Sequence, residues 1–113
     1  MPSVRCCIAG CGPAGAMAGF LLARAGVDVL VLEKHNDFLR DFRGDTVHPS
    51  TLEILDELGL ADRFLAMPHS ELPRAEVRTT SGDVLRLSFE RLRTRFPFIA
   101  QVPQWDFLNF ITA

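Results

Sequence analysis

Glycines at a fixed spacing interrupt the apolar N-terminal stretch of this 113-residue chain, and they constrain its fold more than any other feature. An apolar, partly β-branched strand candidate at residues 4–9 runs into the turn GCGPAG at residues 10–15, and a helical stretch follows. A second apolar run at residues 27–32 then ends at Glu33. The order of strand, G-x-G-x-x-G turn, helix, strand and acidic residue is that of a dinucleotide-binding βαβ unit.

The turn residues each have a physical role in such a unit. Gly10 would let the strand turn sharply, Gly12 would let bare main chain touch a pyrophosphate, and Gly15 would let the helix lie close to the sheet. The helix N-terminus offers unpaired N–H groups and a partial positive charge to phosphates. Glu33 follows at about the ~20-residue spacing of an acid that binds ribose hydroxyls. The alternative is a glycine-rich core turn without a ligand.

The surroundings of the turn favour the ligand-binding interpretation. Pro13 occupies a first helical position, where an N–H is not needed. Gly19 follows Gly15 by about one helical turn, so both glycines lie on the same helix face, which can pack closely because neither has a side chain. Gly26 stands where a C-terminal capping glycine belongs.

The uncharged stretch at residues 6–23 reaches the lower length limit of a membrane-spanning helix, and Arg5 before it is compatible with a signal peptide. However, glycine and proline at this density weaken a continuous helix. The following segment also reads as a second buried strand. We therefore expect neither a membrane span nor a targeting segment.

Composition and charge place the chain among ordinary soluble globular proteins, with 48% hydrophobic and 23% charged residues. The formal net charge of −2 gives no reason to expect nucleic acid or an anionic membrane as a partner. The cysteines, Cys6, Cys7 and Cys11, show neither zinc-site spacing nor a disulfide framework. We expect no metal, and we interpret the cysteines as buried structural thiols in a reducing, cytoplasmic setting.

The middle of the chain predicts a less regular arrangement. Residues 34–48 form a long polar connection, of a kind that is often functional. A helix should begin near Pro49 or Ser50, with Ser50 and Glu53 at capping-box spacing, and a short helical piece at residues 62–66 follows. The helix that begins near Pro49 or Ser50 has an apolar stripe, which comprises Leu52, Ile54, Leu55 and Leu58.

Alternation with a period of two begins near residue 74 and predicts a β-hairpin with a turn at residues 81–83 and one buried face. Residues 96–102 form another strand candidate, and residues 103–111 form an amphipathic helix candidate. The apolar faces of the hairpin and the last helix need cover. The need to bury these faces therefore indicates that the chain is the N-terminal part of a longer fold, or that it needs a partner. A local charge cluster, interpreted as a solvated face, comprises Arg86, Arg91, Arg93 and Arg95.

Three segments resemble one known family. The turn at residues 10–15, with Gly19 and Glu33, resembles the FAD sites of flavoproteins. The segment RGDTVHPSTLEILDELGL at residues 43–60 resembles, more specifically, the FAD-dependent aromatic hydroxylases, the family of para-hydroxybenzoate hydroxylase. Residues 102–104 resemble the segment whose glutamine touches the ribityl chain of the flavin. The resemblance implies an α/β fold: a Rossmann-like FAD/NAD(P)-binding domain with an incomplete parallel sheet and the start of a β-rich substrate domain.

The resemblance also implies a cofactor site. Glu33 would accept hydrogen bonds from the adenosine ribose, Arg43 would face the phosphates, and Gln104 would hydrogen-bond near the ribityl chain. The cofactor-binding residues implied in this way are Gly10, Gly12, Pro13, Ala14, Gly15, Glu33, Lys34, Arg43, Gly44 and Gln104.

The activity implied by the resemblance is that of an NAD(P)H-dependent flavoprotein monooxygenase. NAD(P)H reduces the flavin, O2 adds to form a flavin hydroperoxide, and one oxygen atom passes to a small organic, aromatic substrate. Residues 1–72 would belong to the FAD-binding portion and residues 73–101 to the substrate domain, while residues 102–113 would begin a helix that returns to the FAD domain. No catalytic residue is recognisable, and the family's later motifs lie beyond residue 113, so we expect the chain alone to be inactive. The alternatives are a related FAD-dependent reductase or halogenase, or a truncated, non-catalytic nucleotide-binding module.

Overall fold

The computed structural model of the chain describes residues 3–36 and 46–113. Contacts divide the chain into two compact units, residues 1–43 with 103–113 and residues 44–102. The elements, in chain order, are β1 (Cys6–Ala9), α1 (Pro13–Arg24), β2 (Val29–Leu32), β3 (Thr46–Val47), α2 (Pro49–Glu57), α3 (Ala61–Leu65), β4 (Ser70–Leu72), β5 (Arg74–Arg78), β6 (Val84–Ser88), β7 (Ile99–Gln101) and α4 (Gln104–Thr112).

The first unit contains a parallel βαβ arrangement. β1 pairs with β2 in a parallel register that runs from Cys6 opposite Val29 to Ala9 opposite Leu32. α1 forms the crossover between the two strands, as a parallel pair requires. This arrangement confirms the predicted Rossmann-like α/β fold, with a parallel sheet that has two strands in the part of the chain that the structure describes.

Close packing holds α1 against one face of this sheet. A Cβ atom built on the buried Gly19 would lie 2.6 Å from Cγ2 of Val31 and 3.9 Å from Cδ1 of Ile8. α1 also packs against α4, on which Phe107, Leu108 and Ile111 are buried. The start of α1 is therefore fixed at the carboxyl edge of the two strands.

The opposite face of the two-stranded sheet is largely open. Paired residues of parallel strands share a face, so Cys7 lies on the same side as Leu30. Leu32, also on that side, is 51% exposed. The prediction that Cys6 and Cys7 are both buried is wrong: Cys7 is exposed, because no described element covers its face, and Cys6 is half-buried. Cys11 is buried, as predicted.

β7 is the central strand of a three-stranded antiparallel sheet in the second unit, between β3 and β4. β3 lies inside the predicted polar connection at residues 34–48, and β4 begins at residue 70, in a stretch for which the sequence predicts no element. Both strands were therefore missed by the sequence analysis. The largest fully buried side chains of this unit are Phe64, Leu52, Leu55 and Val102.

α2 begins at Pro49, as the sequence predicts, but its N-terminus differs from the prediction. His48 occupies the N-cap position, and no side chain of the described residues caps the helix. Ser50 lies inside the first turn, so the predicted capping box between Ser50 and Glu53 does not form. Pro49 at the first helical position supplies the start signal instead, because its fixed φ suits that position.

The buried side of α2 is narrower than the predicted stripe. Leu52 and Leu55 are fully buried, whereas Ile54 is 39% exposed. Residues three apart share a helix face and Ile54 lies off that face, which explains the difference.

β5 and β6 form the predicted antiparallel hairpin, with Ala75 opposite Leu87 and Val77 opposite Leu85. These four residues share one face, since directly paired residues and alternate positions point to the same side. Val77 is 50% exposed, Leu85 56% and Leu87 47%. The alternation was predicted, but the expected burial of this face is wrong for the described residues, because none of them covers it.

The predicted charge cluster is a solvated face. Nε of Arg86 lies 3.3 Å from Oε1 of Glu76, and Nη1 of Arg95 donates a hydrogen bond to Oδ1 of Asp56 at 2.7 Å. The side chains of Arg86 and Arg95 are 79% and 65% exposed. Exposed ion pairs of this kind contribute about 0.2–1 kcal/mol to stability, so they do not determine the fold.

Among residues 3–36 and 46–113, no helix has both the length and the apolar character that a bilayer crossing demands. The two contact units divide the chain at positions other than residues 72 and 101. The assignment of segments to a FAD-binding and a substrate domain therefore stays a prediction.

Candidate functional site

The β1–α1 turn and the end of β2 border an open groove of about 530 Å³. Its lining residues are Ala9, Gly10, Leu32, Glu33 and Lys34. They lie at the carboxyl ends of two parallel strands, where open α/β sheets bind their ligands. Gly10, Glu33 and Lys34 were candidate residues from the sequence. Ala9 and Leu32 were missed, although their position as the last residue of each strand could have identified them.

Gly10 makes the turn possible. Its φ of +107° lies in the left-handed region, where a side chain is strained. Its N–H donates to the carbonyl oxygen of Leu32 at 2.7 Å, which continues the strand pairing by one residue. Glycine is therefore required here by the main chain itself.

Gly15 is required by close packing. A Cβ atom built on it would collide with the carbonyl oxygen of Gly10, and it would also lie 3.4 Å from Cγ2 of Ile8. The carbonyl belongs to the main chain and cannot rotate away as a flexible side chain would. The first turn of α1 is therefore pressed against the strand end.

Gly12 has no comparable structural requirement. Its φ of −77° is accessible to any residue, and a Cβ atom built on it would have no atom of the described residues within 4 Å. A side chain at this position would instead occupy the open space next to the main chain. This glycine fits a ligand whose phosphate approaches the main chain at the turn.

α1 presents an uncapped N-terminus at the same turn. Gly12 is the N-cap residue and Pro13 the first helical residue, and no side chain of the described residues caps the helix. Pro13 has no N–H, so the donors of the first turn are those of Ala14 and Gly15. The first turn contains no acidic residue. The partial positive charge of this helix start therefore favours an anion.

Glu33 faces the turn from the end of β2. Its Oε2 accepts a hydrogen bond from the N–H of Cys11 at 2.9 Å, and its Oε1 accepts one from the N–H of His35 at 3.1 Å. Two main-chain donors thus orient the carboxylate at the wall of the groove. Spacing alone predicted the position of Glu33, but nothing in the sequence indicated the contact with Cys11.

The remaining predicted residues are placed less directly. Gln104 is half-buried and is the first residue of α4, which packs against α1 within the same unit. Arg43 and Gly44 lie outside the described residues. Within the described ranges, no cluster of three or more His, Cys, Asp or Glu residues could hold a metal ion.

Comparison with known protein families and sequences gives consistent matches. A family profile described as FAD binding domain matches residues 3–113. An uncharacterized aromatic compound monooxygenase of Bacillus subtilis is 34% identical over 97 residues, which cover 86% of this chain and 19% of that relative. The chain therefore spans about one fifth of the length of this curated relative.

Solved structures give similar matches. The OxyS anhydrotetracycline hydroxylase of Streptomyces rimosus has a TM-score of 0.81 and 33% identity, over 96% of this chain and 21% of that chain. The flavin-dependent brominase Bmp2 has a TM-score of 0.75 and 26% identity, over 96% of this chain and 26% of that chain. The fold, the family profile and the relatives agree with one another.

Proposed function

Because this chain belongs to the FAD binding domain family, we propose that it forms the FAD-binding part of a flavoprotein monooxygenase that hydroxylates a small aromatic substrate. The family match and the relatives confirm the predicted resemblance to FAD-dependent aromatic hydroxylases. The observation that carries the proposal is the open main chain at Gly12 beside the uncapped start of α1. This combination suits a diphosphate, because it offers N–H donors, a partial positive charge and unobstructed access.

The turn would hold the diphosphate of FAD. The N–H groups of Gly12, Ala14 and Gly15 would donate to phosphate oxygens, and Pro13 would set the first helical residue without adding a donor. Glu33 would accept hydrogen bonds from the adenosine ribose hydroxyls at the groove wall. Each of these residues belongs to the same unit of the chain.

Further contacts are proposed from the family resemblance. Lys34 lines the groove next to Glu33, where its ammonium group would attract the anionic cofactor. Arg43 and Gly44 would approach the phosphates, and Gln104 would hydrogen-bond to the ribityl chain. The catalytic residues stay unassigned.

FAD, when bound, supplies the redox chemistry, taking electrons from NAD(P)H and delivering them to O2. The residues of this chain bind and orient the cofactor rather than react. The relatives named above act, by name, on an aromatic compound and on anhydrotetracycline, which favours an aromatic substrate. Since the chain spans about one fifth of such a relative, the activity of the whole protein, its electron donor and its cytoplasmic location are part of the proposal.

Flavin-dependent halogenation is the second candidate function, because the brominase Bmp2 shares this fold at 26% identity. Both reactions use the same cofactor site, so the described residues do not separate them. An assay of the full-length parent protein with an aromatic substrate would do so. A hydroxylated product that forms without halide supports the first candidate, and a halogenated product that requires bromide supports the second.

Titrations of the chain with FAD and with ADP, monitored by the amide signals in NMR spectra, test the proposed diphosphate site. We expect the largest shifts at Gly12, Ala14, Gly15 and Glu33. In a Gly12→Val variant the affinity for both ligands should fall about tenfold, equivalent to about 1.4 kcal/mol. The valine side chain would fill the space through which the phosphate reaches the main chain. The stability should be retained, since φ at this position suits any residue.

Ala23→Val is the matched control, because it adds similar bulk at an exposed position of α1, away from the turn. Its affinity for both ligands should equal that of the unmodified chain. Equal affinity of the Gly12→Val variant, or shifts confined to other parts of the chain, would contradict the proposed site.

A further inference from the structure

Glu33 makes contacts to the main chain that a ribose-binding residue does not need. Its carboxylate accepts hydrogen bonds from Cys11 in the turn and from His35 after β2, at 2.9 and 3.1 Å. We propose that Glu33 is a positioning residue: it holds the β1–α1 turn in the conformation that receives the diphosphate. This inference rests on the proposed function of the turn and adds a role that acts before the ribose binds.

The local geometry shows how the turn is held. The N–H of Gly10 donates to the carbonyl oxygen of Leu32 at 2.7 Å, and the next N–H, that of Cys11, donates to Glu33. Two successive amides of the turn are therefore tied to two successive residues at the end of β2. The second contact of Glu33, to His35, anchors the carboxylate itself. The main chain that enters Gly12 is thereby fixed.

The composition of the turn explains why such a tether matters. Cys11 stands between two glycines, and glycine loses more conformational freedom on ordering than any other residue, by roughly 0.5–1 kcal/mol relative to alanine. Without a fixed point, the segment would sample many conformations, and few of them would direct its N–H groups at one phosphate. A charged acceptor makes a stronger hydrogen bond than a neutral one, so a carboxylate is well suited to this task.

The direction in which diphosphate binding changes distinguishes a positioning role of Glu33 from a direct electrostatic effect of its negative charge. A carboxylate close to an anion repels it, so removing the charge alone should strengthen the binding of a diphosphate. Removing a residue that positions the turn should weaken that binding instead. Inorganic pyrophosphate is the appropriate probe, because it has no ribose and does not report on the proposed ribose contact.

The experiment compares Glu33→Ala with Glu33→Gln in the full chain. Glutamine keeps an oxygen that can accept from Cys11, whereas alanine removes it. For Glu33→Ala we expect about threefold to tenfold weaker pyrophosphate binding and a comparable acceleration of hydrogen exchange at the Cys11 amide, the range expected for one lost hydrogen bond. Glu33→Gln keeps one acceptor and removes the charge, so it should bind pyrophosphate at least as tightly as the unmodified chain and keep the exchange of the Cys11 amide within about twofold.

Asp28→Asn is the matched control, since it removes one negative charge from an exposed residue just before the opposite end of β2. It should leave the exchange of the Cys11 amide unchanged. Unchanged exchange in Glu33→Ala would overturn the positioning role, and so would tighter pyrophosphate binding in that variant. The proposed function would still stand if FAD shifts the amide of Gly12. If FAD fails to shift that amide in the unmodified chain, the proposed function fails, while the exchange of the Cys11 amide still decides whether Glu33 holds the turn.

Discussion

Single residues of the turn look alike in the sequence, yet different physical causes require them. The backbone conformation requires glycine at Gly10, with φ at +107°, and the collision with a main-chain carbonyl requires it at Gly15. At Gly12 neither cause applies, and under the proposed function glycine there leaves the main chain open to the diphosphate. A spacing motif does not distinguish these cases, whereas the backbone conformation and the packing of each glycine do.

His69 is a second residue whose surroundings define its chemistry. Its Nδ1 lies 2.7 Å from the carbonyl oxygen of Met67, and its Nε2 lies 2.9 Å from Oε2 of Glu71. Both partners accept hydrogen bonds, so the protonated ring, with two N–H donors, satisfies both. The carbonyl of Met67 first and the carboxylate of Glu71 second raise the pKa of His69 above its usual value of 6.5, against a smaller opposing effect of burial.

The stability of the chain should therefore depend on pH through His69. Because the folded pKa of His69 is raised, its contribution is fully present below the unfolded pKa of about 6.5 and is lost as pH rises through the folded pKa. Urea unfolding should show that the free energy of unfolding of the unmodified chain exceeds that of a His69→Gln variant, and that this difference shrinks as the pH rises through this window. NMR titration should give a His69 pKa above 6.5, and a lower one in Glu71→Gln. A value at or below 6.5 in the unmodified chain would contradict the expectation.

At the scale of elements, the sequence predicted those segments that carry their own pattern. β1, α1 and β2 follow from the glycine spacing and the apolar runs, and the hairpin of β5 and β6 follows from its alternation. β3 and β4 are two and three residues long, too short to show a period. They are strands because β7 lies between them, and such a tertiary pairing is not visible in the local sequence.

The candidate site was predicted to a similar extent. The turn and Glu33 follow from spacing, because both belong to one local βαβ unit. The hydrogen bond from Cys11 to Glu33 could not be predicted, since it depends on the direction of one side chain across the groove. The roles of Lys34, Arg43, Gly44 and Gln104 stay predictions from the family resemblance.

α2 offers a direct test of the element-scale packing. Leu55→Ala should lower the free energy of unfolding by about 2–5 kcal/mol, because Leu55 is fully buried and its loss leaves a cavity. Ile54→Ala, on the same helix and 39% exposed, should cost clearly less. Chemical denaturation of the two variants measures the difference. Equal losses would indicate that the predicted broad stripe, rather than the narrower observed face, describes the packing.

At the scale of the whole molecule, the chain presents apolar surface next to its candidate site. Leu32 lines the groove and is 51% exposed, and Cys7, on the same face of the two-stranded sheet, is also exposed. An open groove buries little of a ligand, and affinity depends on how much of the ligand is desolvated and held.

We therefore expect the chain alone to bind FAD at least about a hundredfold more weakly than the full-length flavin-dependent brominase Bmp2, a difference of about 2.7 kcal/mol. Only about one quarter of that brominase is represented here. Titration followed by flavin fluorescence, with both proteins under the same conditions, measures the ratio. Comparable affinities would show that the groove alone supplies most of the binding energy.

The different demands on Gly12 and Gly15 have an evolutionary consequence. Any replacement at position 15 adds a carbon atom that collides with main chain, so selection for folding alone keeps that glycine in every descendant. Under the proposed function, position 12 is kept only while the cofactor is used. A lineage that abandoned the flavin would be free to drift at position 12 first, and its genes would retain the outer two glycines of the motif as a remnant of the lost chemistry.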